Sequence, residues 1–234
     1  MHLHRFATFF LAAIWLAGCA TAQLSPEAKM GLKRGGVAAA FYVEGKKIQY
    51  DEMVYRVLWN ENRSQDSVFE GSWDVDKDVS GTFAAGLKQA GLSAKPIDAV
   101  LADRKLYDAF EQVVLNTRLA DGKNTPIVMD EALRRAFVEA DVDYVVLIRA
   151  AFYRAQKVSG FKPQFALPAM LIVYDVARNE QSYSRQIPLG GPISVEESPR
   201  EVEANGLAKL KTATHDWVRK AATENVPDML KLDS

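Results

Sequence analysis

Asp143-Tyr144-Val145-Val146-Leu147-Ile148-Arg149 holds five consecutive apolar side chains, three of them β-branched. A run this short and uniformly apolar reads as a strand covered on both faces, at the centre of a sheet. Immediately before it, Leu133, Ala136 and Phe137 share one face of a helix over 130–140. After it comes a loop at 159–163 containing Gly160, then a second apolar strand over 169–176. Arg178-Asn179-Glu180 turns the chain into a more polar strand over 181–187, nearer an edge. These three strands are expected to form an antiparallel meander.

Further from that centre, 37–43 reads as a small buried strand. Gly45 turns the chain into a second strand over 46–59, where Met53, Tyr55, Val57 and Trp59 alternate with Val54, Arg56 and Leu58. Residues 60–71 are polar and read as a loop. Val75, Val79, Phe83 and Leu87 recur every four residues and predict a helix stopped by Gly91. A short edge strand over 92–97 contains Pro96, a second helix covers 103–116, and Asp121-Gly122 marks a turn. Ser198-Pro199-Arg200-Glu201 is a capping box with proline at the first helical position. The helix it opens carries Val202, Leu207, Leu210, Thr214, Trp217, Val218 and Ala221 on one stripe, and Asn225 and Pro227 end it. The expected architecture is a single α/β domain over 36–224. It has a mixed sheet, an antiparallel C-terminal meander, packed helices and a long C-terminal helix, followed by a tail over 225–234.

The amino terminus is of a different kind. Arg5 is the only fixed charge in the first 18 residues, and 6–17 is an uncharged run of signal-peptide length, too short to span a bilayer. It ends at Leu16-Ala17-Gly18-Cys19, which resembles the bacterial lipobox. That resemblance implies a thioether-linked diacylglycerol on Cys19, removal of residues 1–18, and acylation of the new amino terminus. The expected partner is thus the lipid bilayer, reached through Cys19 and a tether over 19–35. Ala20, where an aspartate would signal retention, implies the periplasmic face of the outer membrane.

Cys19 is the only cysteine, so a lipidated chain has no thiol left for a disulfide. Without Arg5, 28 basic side chains stand against 30 acidic ones, and no basic stripe of the kind that binds nucleic acid occurs. With 48% hydrophobic and 25% charged residues the body is of ordinary globular composition, and no later segment approaches the length of a membrane span.

Motifs for chemistry are few. His215, the one histidine beyond the signal segment, reads as a surface residue. Gly190-Gly191-Pro192 reads as a turn. No G-x-S-x-G, H-E-x-x-H, Walker or G-x-G-x-x-G pattern occurs. Asp74-Val75-Asp76-Lys77-Asp78 resembles the opening of an EF-hand, but Val79 and Ala85 stand where that loop needs glycine and glutamate. On a helix the three aspartates point apart, so no metal or other cofactor is expected, and their charges favour the helix dipole. Arg149, Arg154 and Asp175 lie in or beside the strong strands and read as solvent-facing. Aromatic residues are concentrated over 42–73; most belong to the core, and Tyr55, Trp59 and Trp73 are candidates for a contact patch.

The order from Ala136 onward is helix, Asp143-Tyr144-Val145-Val146-Leu147, Leu171-Ile172-Val173-Tyr174-Asp175, charged turn, Tyr183-Ser184-Arg185. It resembles the LpoB/CsgG/PelC-like periplasmic α/β lipoproteins. The resemblance implies a compact, lipid-anchored α/β domain that docks onto another envelope component without catalysing a reaction. The segment 144–187 is too apolar on both faces for a barrel hairpin, which argues against a pore formed by this chain alone. A small-molecule or glycan-binding lipoprotein is the alternative, resting on the aromatic residues.

Overall fold

The computed structural model describes residues 23–55, 60–69, 72–116, 119–120, 123–124, 128–158, 164–187 and 199–231. The chain folds as one α/β domain with two mixed sheets. In the first, β1 (Gly36–Val43) lies parallel to both β4 (Ser93–Pro96) and β7 (Tyr144–Ala150). Antiparallel β10 (Ala169–Asp175) and β11 (Glu180–Gln186) complete the order β11-β10-β7-β1-β4. The expected meander is therefore present, with β7 central and β11 and β4 at the edges. The second sheet has the order β3-β2-β8-β9, from β2 (Lys47–Tyr55), β3 (Asn60–Val68), β8 (Tyr153–Val158) and β9 (Gln164–Ala166). Two short segments, β5 (Leu119–Ala120) and β6 (Lys123–Asn124), pair on either side of Asp121-Gly122, which lie outside the described residues.

Three lines of chain run from one sheet into the other: β1 into β2, β7 into β8, and β9 into β10. Glu44 N–H donates to Ala150 C=O at 2.9 Å, Gly45 N–H to Ala151 C=O at 2.8 Å, and Ala151 N–H to Pro168 C=O at 3.3 Å across the passage. Val43 pairs with Ala150 and Ile48 with Tyr153, so five steps along one line match three along its neighbour. A one-sided excess of this sort breaks the ladder and bends the strand that carries it, as a β-bulge does.

Burial explains why β7 is apolar on both sides. Val37, Ala39, Phe41, Val43, Val146, Ile148, Leu171 and Val173 face one cluster. It is completed by α1 (Pro26–Arg34), α2 (Val75–Gln89), α6 (Pro199–Ala204) and α7 (Ala208–Leu230). Ala38, Ala40, Tyr42, Val145, Leu147 and Ile172 face a second cluster, formed with α3 (Ile97–Val100), α4 (Arg104–Asn116) and α5 (Glu131–Glu139). The first cluster continues beneath the second sheet through Ile48, Tyr50, Tyr153, Ala155 and Phe165; the other does not. Among the described residues the second sheet is thus covered on one face only. At ~1.5 Å per residue α7 is about 34 Å long, and it splints the passage on the covered side. Thr214 and Tyr153 hydroxyls meet at 3.0 Å near one end, and Lys29 of α1 donates to Lys231 C=O at 2.6 Å just past the other. Between them Ala222 packs where a Cβ on Gly86 of α2 would stand 2.7 Å away.

Several expectations are corrected. The tether over 19–35 ends early: α1 is capped by Ser25, whose hydroxyl accepts from Ala28 N–H, and Leu24, Ala28 and Leu32 are buried in the first cluster. Gly31 and Gly36 are close-approach sites; a Cβ would meet the Tyr144 hydroxyl at the first and the Asp141 carbonyl at the second. The polar stretch expected as a loop forms β3, paired with β2 along its whole length. β8, β9 and α3 were not anticipated. The C-terminal helix is two helices, separated at Gly206 (φ 60°) and Leu207 (φ 62°). Pro227 does not end α7, and there is no tail from 225 to 230. Burial of Val226, Met229 and Leu230, at ~1.5–3 kcal/mol each, outweighs the ~3 kcal/mol cost of an internal proline. The loops expected at 159–163 and 190–192, and the capping residue Ser198, lie outside the described residues.

Candidate functional site

β1 leads through α2 to β4 on one face of the first sheet, and β4 leads through α4 and α5 back to β7 on the other. The two crossovers diverge outside the carboxyl ends of β1 and β4. In open α/β sheets that crevice is where ligands lodge. Here it is a cleft of about 220 Å³ lined by Lys46, Trp73, Asp74, Lys77, Arg104, Tyr107 and Glu111.

Its root is built from buried polar groups. β4 pairs only with residues Gly36–Ala39 of β1, so among the described residues the later part of that edge has no strand partner. Side chains of α2 take its place. Phe41 N–H donates to Ser80 Oγ at 3.1 Å, and Val43 N–H donates to Asp76 Oδ1 at 3.0 Å. Ser80 Oγ in turn donates to Asp76 C=O at 2.6 Å. Both side chains are fully buried, as this role requires, because an unpaired N–H there would be costly.

The second Asp76 oxygen lies 2.9 Å from Lys46 Nζ. Burial lifts the Asp76 carboxyl to about 6, against the opposing pull of Lys46. For Lys46, burial works against the ammonium, but the charge and hydrogen bond of Asp76, with Glu111 and Asp74 behind them, raise its pKa on balance. Burial also raises Glu111 and the Tyr107 hydroxyl. Lys46 itself sits at φ 39°, a left-handed conformation that costs a non-glycine residue energy. The cleft therefore presents ammonium, guanidinium and carboxylate groups that largely neutralise one another over a buried ion pair.

Trp73, a candidate contact residue, is 5% exposed and packed in the core, and it also lines the cleft. It packs on Phe69 and stacks on Tyr153, the ammonium of Lys211 lies 5.8 Å from its ring centre, and its indole N–H donates to Asp78 Oδ2 at 2.8 Å. Only its edge reaches the cleft. The side chain of Tyr55, and the residues Trp59 and Cys19, lie outside the described set. His215 is not a free surface residue. Nε2 is 3.2 Å from Asp78 Oδ2 and Nδ1 is 2.6 Å from Thr82 Oγ1, so the imidazole staples α7 to α2. Asp74, Asp76 and Asp78 point to cleft, core and α7 respectively. Among the described residues no group of His, Cys, Asp and Glu is placed to hold a metal ion.

The strand charges divide. Arg149 is buried to one-tenth exposure and pairs with Glu44 at 3.0 Å, and Asp175 is buried and accepts from Arg178 N–H at 2.9 Å, both against expectation. Arg154 is solvent-facing and pairs with Asp51 at 3.0 Å. It belongs to a trough of about 460 Å³ on the second sheet, where Gln49, Asp51, Asn62, Ser64, Arg154 and Gln156 are exposed or partly so.

No family model and no curated protein matches the chain. Solved structures do resemble it at low identity. Protein XCC0632 from Xanthomonas campestris, of the family DUF330, is 12% identical, with 84% of this chain and 83% of that one covered at a TM-score of 0.32. The hypothetical protein CT253 from Chlamydia trachomatis is 11% identical, with 84% of this chain and 97% of that one covered at a TM-score of 0.40.

Proposed function

We propose that the chain is a lipid-anchored envelope protein, held by acylated Cys19 at the periplasmic face of the outer membrane, that acts as a non-enzymatic binding or assembly component. The observation that carries this reading is the short sequence distance between Cys19 and the packed body. The sole cysteine closes the uncharged leader at Leu16-Ala17-Gly18-Cys19, and the packed body starts at Leu24, five residues later. From α1 the chain passes into β1 and then, through the turn at 44–46, into β2 of the second sheet, whose polar face carries Gln49, Asp51, Arg154 and Gln156. Among the described residues no helix is long and apolar enough to cross a membrane. The resemblance to LpoB/CsgG/PelC-like lipoproteins points the same way.

Mass spectrometry of the mature amino-terminal peptide tests the anchor. A peptide that starts at Cys19 and carries a thioether-linked diacylglycerol and an amide-linked acyl chain is expected; a free Cys19 thiol overturns the reading. Photo-crosslinkers placed at Ser64 and Gln156 in intact envelopes test the docking face. They should capture a defined protein that crosslinkers on the exposed side of α5, such as at Val138, do not.

The switch-point cleft favours a second reading, binding of a small polar molecule between α2 and α4. Because Trp73 borders the cleft, occupancy would change its fluorescence, and a screen of charged metabolites and glycans that leaves the emission unmoved removes this alternative.

A further inference from the structure

The buried Asp76–Lys46 pair does more than close the edge of β1. Lys46 ends the turn between the two sheets, and it is also where the β2–β3 hairpin is rooted: its carbonyl accepts from Phe69 N–H at 3.0 Å, just beyond the end of β3. Its side chain reaches into the first sheet's territory to meet Asp76, while its backbone holds φ 39°. The turn is also tied to its neighbours by Glu44 N–H and Gly45 N–H and by the Glu44 carboxylate on Arg149 at 3.0 Å, so only the Lys46 end of it depends on Asp76. A strained residue at the root of a hairpin, whose side chain is held by one buried carboxylate, has the parts of a latch.

We propose that Asp76 is a proton-sensitive latch on the root of the β2–β3 hairpin: ionised, it holds Lys46 and the turn against α2, and protonated, it releases them. A neutral Asp76 still accepts from Val43 N–H, so the end of β1 stays tied. The Lys46 ammonium loses its counter-charge and, being on the rim of the cleft, swings into water and lets the turn leave its left-handed conformation. This inference does not depend on the lipid anchor.

The groups around Asp76 set the midpoint. The turn contributes Lys46 and Glu44; β1 contributes the Tyr42 hydroxyl. From α4 come Glu111 and Tyr107, from its own helix Asp74 and Ser80, and from β8 Tyr153, while Arg149 of β7 acts one step away, on Tyr42 and Glu44. Burial together with Glu111 pushes the carboxyl towards the neutral form, and Lys46 opposes them. The balance falls at about 6.

Hydrogen exchange of the full chain between pH 5 and pH 7.5, corrected for the intrinsic rate, tests the latch. Peptides covering 44–48 and 68–69 are expected to lose protection about tenfold at the lower pH, while 144–150 stays unchanged. Asp76→Asn should give the released pattern at both pH values. Glu111→Gln should keep the transition but move its midpoint down, because a negative neighbour has been removed. Lys46→Met serves if Asp76→Asn does not fold; it should be released throughout and show no transition. Equal protection of 44–48 at both pH values overturns the proposal. So does a transition that survives in Asp76→Asn or Lys46→Met.

Discussion

Replacing Ser80 by alanine tests whether α2 side chains truly stand in for a missing strand. Ser80 is fully buried, and its Oγ accepts the Phe41 N–H at 3.1 Å. Alanine leaves that N–H in a dry site with nothing to donate to, which costs ~1–3 kcal/mol. The other bond of the hydroxyl, to Asp76 C=O, matters less, because that carbonyl lies within α2 and has the helical bond available to it. Alanine is the better helix former and returns up to ~0.5 kcal/mol. The net expectation is a loss of about 1–2.5 kcal/mol, a sizeable part of the ~5–15 kcal/mol that holds a typical domain. Urea unfolding should show it as a lower midpoint with an unchanged slope. Amide exchange at Phe41 should accelerate more than at Val146, in the centre of the neighbouring strand. A Ser80→Ala protein within ~0.5 kcal/mol of the parent would show that the contact is incidental and that the edge of β1 is satisfied in another way.

Two glycines of the same helix should respond in opposite directions. Gly81→Ala faces open space and is expected to stabilise by ~0.5–1 kcal/mol, whereas Gly86→Val drives a side chain into Ala222 and should cost ~1–3 kcal/mol or more by the same urea assay. Leu32→Ala, at a fully buried position of α1, should cost ~2–5 kcal/mol and expose 24–34 to proteolysis; an intact protease pattern would return α1 to the status of a tether. The titration of Asp76 has a sign that thermal or urea midpoints will read. Its folded pKa of about 6 lies above the ordinary 3.8, so between those values the folded chain holds a proton that the unfolded chain has lost. The contribution of this group to stability therefore rises as pH falls from above 6 towards 4, by at most roughly 3 kcal/mol. Asp76→Asn should remove that component, and an unchanged pH profile in the variant would refute the assignment.

The strands that could be read from sequence are those whose environment is the same on both sides. β7 and β10 lie between two helical layers, so every residue from Val145 to Ile148 is apolar and no register had to be known. β3 failed for the opposite reason. Asn60 to Val68 is almost wholly polar because its sheet has one covered face and β3 lies at the edge, so the pairing with β2 alone makes it a strand. α1 was obscured by glycines that look like breakers; Gly31 and Gly36 exist because Tyr144 and the Asp141 carbonyl need the room. The polar root of the cleft was legible only in part. The spacing of Asp74, Asp76 and Asp78 correctly implied three directions, but that Asp76 is buried depends on β4 stopping four residues short of the end of β1. Nothing local records the length of a partner strand. For Trp73, aromatic content alone does not say which ring has a partner: Phe69, Tyr153 and Asp78 enclose it.

The bond between Lys29 and the carbonyl of Lys231 has a consequence beyond packing. It joins the first helix of the body to the last residue described, so the two ends of the fold occupy one corner. A chain arranged in this way is nearly a closed ring. A short linker from the C-terminal end to the start of α1 would complete it, and the ring could be cut open elsewhere, for example in the segment between β2 and β3, without moving a single strand.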